Sequence, residues 1–129
     1  AEQKLNNLTY VGKLLPKDLI PIYGKCDIGL STYSAGSNVD MCDKFYDYTA
    51  AGLAIINSLK GEISEHITEE KLGVNYEANN ADSFMAALDY LRDSDHLKIC
   101  KHNSWNAGMF FDKNRQNENL LTVINKILE

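Results

Sequence analysis

The order of apolar and polar segments predicts an α/β fold: a Rossmann-like parallel sheet of about four strands with flanking helices and a helical C-terminal tail. Three observations carry this expectation. Strand-like and helix-like segments alternate along the first part of the chain, the pattern of βαβ crossovers. Leu53–Ile56 (LAII) is apolar throughout, as strands inside parallel sheets are. From Asp82 onward only helical segments follow.

Each element has its own signal. Leu8–Val11 (LTYV) reads as a first strand, ended by Gly12. A helix is expected over Lys17–Lys25, with Pro21 tolerable if Lys17 or Asp18 is the cap, because first-turn amides have no helical partner to lose. Asp27–Leu30 (DIGL) is the second strand, followed by the long polar loop Ser31–Cys42. Asp43–Ala51 reads as an amphipathic helix, and Gly52 stands where a glycine would end it in the left-handed conformation. Leu53–Ile56 is then the third strand, Glu62–Glu69 a short helix and Gly73–Tyr76 (GVNY) the fourth strand. Helices over Asp82–Arg92, capped by Asp82, over Asp95–Ala107 and over Gln116–Leu128 complete the chain. The polar stretch Lys113–Glu118 (KNRQNE) separates the last helix, within 113–129, from the body.

The 129 residues, 44% of them hydrophobic, suit one compact domain spanning 1–129 and are too few for two. With 13 basic and 18 acidic residues the formal charge is −5, which argues against a general nucleic-acid binder, since backbone affinity needs clustered Lys and Arg. No apolar run is long enough to span a membrane, and AEQKLNN at the start has no apolar signal core. Cys26, Cys42 and Cys100 have no C-x-x-C spacing and read as reduced, which points to a cytoplasmic location. His96, Cys100 and His102 match no closed tetrahedral ligand set, and Asp40 and Asp43 lack the D-x-D spacing of a metal–nucleotide site, so no metal is expected.

In open α/β sheets ligands bind beyond the carboxyl ends of the strands. The longest strand-end loop, Ser31–Cys42, is rich in small donors, among them Ser34, Gly36 and Ser37. It feeds the helix at Asp43, whose unpaired first amides and dipole suit phosphate oxygens. Lys44 adds a positive charge there. Asp47 shares a helix face with Asp43 and Lys44 and is placed to accept hydrogen bonds from a ribose diol. The plainer reading is also open: Asp43 as a first-turn acid and Lys44 and Asp47 as a solvated helix face.

The residues also resemble a family. "CDKFYDYTAAGLAIINS" is similar to the "PNKLFEYMAAGKPVI" segment of GT-B glycosyltransferases of the group 1 type, which carry E-x7-E motifs. "LTYVGKLLPKDLIPIYGKCDIGLSTY" and "GEISEHITEEKLGVNYEANNADSFMAALDYL" are similar to that family's neighbouring segments, in the same order from Leu8 to Trp105. The resemblance implies a partial C-terminal, donor-nucleotide domain. It would belong to an enzyme moving a hexose from a nucleoside-diphosphate sugar to a glycan or lipid-linked acceptor, as in surface polysaccharide biosynthesis. It implies no metal or other cofactor, and a cytoplasmic place, in the parent enzyme peripheral at the inner membrane face. Asp47 matches the second acid of E-x7-E, which in that family binds the donor ribose. Lys44 and Asp43 match its "NK" pair. Val39 stands eight residues before Asp47, where the family has the sugar-contacting glutamate, and Asp40 beside it is the candidate substitute.

Relative to that family the chain lacks the first two βα units and the acceptor domain, so it is expected to bind a donor but not to catalyse transfer alone. With crossover helices on one sheet face, the other face, with Ile28, Leu30, Ile55 and Val74, needs cover from the C-terminal helices or a second copy, hence an expected self-association. The alternative function is a non-catalytic α/β module such as a receiver-like signalling domain. That needs acids after the first strand and a phosphorylatable Asp after the third; here Gly12–Lys13 and Asn57–Ser58 stand there.

Overall fold

A computed structural model describes residues 5–128. Among these, six helices flank an open, three-stranded parallel sheet in the order β1 (Ile28–Ser31), β2 (Ala54–Asn57) and β3 (Gly73–Asn75). Ile28 aligns with Ala54 and Leu30 with Ile56 in the first pairing, Ile55 with Gly73 and Ile56 with Val74 in the second. Leu8–Val11 does not form the expected first strand. It lies outside any regular element, with Leu8 70% and Tyr10 90% exposed. A strand needs a neighbour to take its backbone groups, and among the described residues no strand lies beside this segment.

The first helix, α1, runs Pro16–Tyr23 rather than Lys17–Lys25. Pro16 holds its first turn, where a missing N–H costs nothing, and Leu15 takes the cap position in place of Lys17 or Asp18. The helix α2 covers Asp43–Ala50 and ends as expected on Gly52, at φ +65°. Leu53 N–H donates to the Tyr48 carbonyl at 2.9 Å and Gly52 N–H to that of Thr49 at 3.0 Å, the paired bonds of a Schellman stop. That stop releases the chain directly into β2, whose four residues are all buried.

The helix α3 (Glu62–Glu69) follows Gly61, and α4 (Ala81–Arg92) and α5 (Ser94–Phe110) follow β3. The cap of α4 differs from the one expected. Asn80, not Asp82, caps α4 by accepting from Ser83 N–H, and Asp93 caps α5 through Asp95 and His96 N–H. The last helix, α6, occupies Lys113–Leu128, so the polar stretch is helical: Asp112 accepts from the amides of Asn114 and Arg115 and starts it there.

Two cores form, one on each side of the sheet. Ile55 packs with Phe45, Ile63, Ile67 and Leu72 under α2 and α3. Ala54 and Ile56, with Ile28 and Val74 beside them, pack under α4 and α5 through Ala87, Leu91 and Cys100. Strand alternation therefore puts Ile55 opposite Ile28 and Val74, not on one face with them as expected. The face that needed cover has it from the C-terminal helices, save for Leu30, which stays 43% exposed. The α5 helix reaches both cores, and Gly108 lets it lie against α2, where a Cβ would stand 2.5 Å from the Thr49 carbonyl oxygen.

Candidate functional site

The site is built from the three loops that leave the carboxyl ends of β1, β2 and β3. They enclose a cleft of about 600 Å³ lined by Ser34, Gly36, Ser37 and Asp40 from the first, Ser58, Lys60 and Gly61 from the second, and Glu77 from the third. Hydrogen bonds hold the loops in register. Ser58 Oγ accepts from Tyr33 N–H at 2.7 Å and donates to the Tyr33 carbonyl at 3.0 Å, pinning the first loop to the second. Buried Asn57 donates to the Leu59 carbonyl at 2.8 Å and to Asn75 Oδ1 at 2.9 Å, while its own Oδ1 accepts from Leu59 N–H. Asn75 in turn donates to the Ser64 carbonyl and to Thr68 Oγ1, both at 2.9 Å, so β2, β3 and α3 share one polar network beside the cleft.

Within the first loop, Ser34 and Ser37 lie at a turn: Ser37 N–H donates to the Ser34 carbonyl at 3.3 Å and their hydroxyl oxygens are 3.4 Å apart. Gly36 supplies the φ of +87° that the turn requires. Asp40 meets the second loop, since its carbonyl accepts from Ile63 N–H at 3.1 Å and its Oδ1 lies 2.6 Å from where a Cβ on Gly61 would be. Gly61, at φ +85°, is thus doubly constrained to glycine.

The structure divides the seven residues singled out in the sequence. Ser34, Gly36, Ser37 and Asp40 come together in the cleft; Asp43, Lys44 and Asp47 stand on α2, outside its lining. Cys42 occupies the cap position of α2, with no side chain capping the helix, and Asp43 opens the first turn. Lys44 turns towards the first loop: its Nζ donates to Tyr33 Oη at 3.2 Å and lies 4.9 Å from the ring centre, a cation–π contact. Asp47 faces a separate groove between α1 and α2, with Pro16, Ile20, Tyr23 and Ala51. Burial first, and then the neighbouring Asp47 carboxylate, push the Tyr23 hydroxyl above its ordinary pKa. Tyr48, whose ring covers Gly29 and whose hydroxyl donates to the Leu30 carbonyl at 3.0 Å, is pushed up to about 12, chiefly by burial.

The sequence reading missed Ser58, Lys60, Gly61 and Glu77. Their signal was positional: each follows one of the other two strands, where the topology brings every carboxyl-end loop to one edge. Among the described residues no group of three His, Cys, Asp or Glu side chains could hold a metal ion, and no helix is long and apolar enough to cross a membrane. Chemically, the cleft offers hydroxyl and amide groups with one ammonium and two carboxylates, a lining suited to a polar, hydroxyl-bearing ligand.

No protein family, curated protein or solved structure matches the chain.

Proposed function

We propose that the chain is the donor-binding part of a glycosyltransferase, holding a nucleoside-diphosphate sugar whose hexose passes to a glycan or lipid-linked acceptor. The observation that carries this reading is the convergence of Ser34, Gly36, Ser37 and Asp40 with the ends of β2 and β3 in one cleft at the carboxyl edge of a parallel sheet. The segment order from Leu8 to Trp105, similar to that of GT-B enzymes, supports the same reading. The sugar occupies the cleft, and the diphosphate lies towards Tyr33, Lys44 and the first turn of α2. There the helix dipole and the ammonium offset the charge that develops on the leaving group.

Calorimetric titration of the chain with UDP and with GDP tests this. One of them binds, and Lys44→Ala weakens it about tenfold, the usual scale for losing a charge-assisted contact. Absence of binding at millimolar nucleotide contradicts the proposal, and an affinity unmoved by Lys44→Ala removes the diphosphate from the start of α2. In the same titration, Asp47→Ala with unchanged affinity takes that carboxylate out of the ribose role.

A further inference from the structure

We infer that the cleft selects an uncharged sugar ring over one bearing a carboxylate, and that Glu77 is the residue that sets this preference. The inference rests on the donor-binding reading and specifies the substrate class. Three side chains that line the cleft carry charge: Asp40, Lys60 and Glu77. Two carboxylates against one ammonium leave a net negative lining. The rest of the polar lining is Ser34, Ser37, Asn38 and Ser58, which exchange hydrogen bonds with neutral hydroxyls without a charge requirement.

Glu77 is exposed, and hydrogen bonds orient it. Its Oε2 accepts from Asn80 Nδ2 at 2.8 Å, and Asn80 is itself anchored because its Oδ1 accepts from Ser83 N–H at 3.0 Å as the cap of α4. Ser83 closes the ring by accepting from Glu77 N–H on its Oγ at 2.9 Å. Among the described residues Oε1 has no hydrogen-bonding partner and remains an acceptor for ligand hydroxyls. Such charge-assisted bonds are roughly twice as strong as neutral ones. A ligand carboxylate in the same volume would instead add a third negative group among Asp40 and Glu77, with only Lys60 to offset it.

The test compares sugars that differ only in that charge: UDP-glucose with UDP-glucuronate, and GDP-mannose with GDP-mannuronate. Each is titrated into the wild-type chain and into Glu77→Gln, which keeps the acceptor that Asn80 uses. Wild type should bind the neutral member of the accepted pair about tenfold more tightly, and Glu77→Gln should bring the two within about twofold. Equal or reversed affinities in the wild type overturn the inference without need of the variant, as does a preference unchanged in a folded Glu77→Gln chain. If neither pair nor the bare diphosphates bind, the donor-binding reading itself falls. If UDP or GDP binds while the paired sugars are indistinguishable, the selection alone is wrong.

Discussion

The segment from Ile28 to Phe110 and the arm before it, residues 5–25, are built from similar raw material and end in opposite states. In the first, Phe45, Leu53, Ile55, Ile56, Ile63, Ile67 and Leu72 are at most 1% exposed. In the second, Leu8, Tyr10 and Ile20 are 70%, 90% and 70% exposed, and no residue of α1 is buried. LTYV is as good a strand sequence as GVNY. The difference lies in partners: GVNY meets β2 along its length, with Val74 aligned to Ile56, whereas LTYV meets no strand. The arm meets the body through half-buried residues of α1, among them Tyr23, which makes an edge-on contact with Tyr48 at 5.9 Å between ring centres and lies against Asp47. Local preference proposes an element, and tertiary burial decides whether it forms.

That contrast can be broken at its strongest point first. Phe45→Ala removes a fully buried ring that packs edge-on against Phe111, and should cost about 3–5 kcal/mol in urea unfolding. A loss under about 1 kcal/mol would mean that the core under α2 is not closed as described. Gly108→Ala comes next, because the new methyl meets the Thr49 backbone at 2.5 Å. Overpacking of this kind should cost about 1–3 kcal/mol, and a stabilised variant would show that α2 and α5 are not in close contact.

A graded loss should follow from alkaline pH. Tyr48 in the folded chain ionises near 12, above its unfolded value, so the neutral ring's contribution is complete below pH 10. It fades as pH rises from there through about 12. Urea midpoints from pH 8 to 11 should fall more in wild type than in Tyr48→Phe; parallel curves would place the Tyr48 hydroxyl in water. The smallest effect belongs to the arm: Tyr10→Ser should change stability by no more than about 0.5 kcal/mol, as exposed positions do. A larger loss would mean that the arm is docked.

The same contrast explains how much could be read from sequence. The stretch Asp43–Asn57 was legible because its signals are local: an amphipathic helix, a glycine at the stop, an apolar strand. Gly52 adopts the expected left-handed φ, and β2 is buried throughout. The cap of α4 was less legible, because Asn80 competes with the neighbouring acid Asp82 and only the approach of the chain decides between them. The start of α6 was hidden in the same way, since Lys113–Glu118 looks like a linker until Asp112 caps it. For the site, the first loop was legible from its length and donors. Lys60, Gly61 and Glu77 were not, since they join it only when three strands end at one edge. The separation of Asp47 from the cleft also escaped, because i, i+4 spacing fixes a helix face but not the direction in which that face looks.

On the function proposed above, the three carboxyl-end loops form a nucleotide-sugar site while the arm and α6 take no part. The most direct measurement is the amide NMR spectrum of the labelled chain during titration with UDP-glucose and GDP-mannose. Resonances of Ser34, Ser37, Ser58, Gly61 and Lys44 should shift together with one affinity, while those of Leu8–Val11 and α6 stay in place. Shifts confined to the α1–α2 groove, or none at saturating donor, would contradict it.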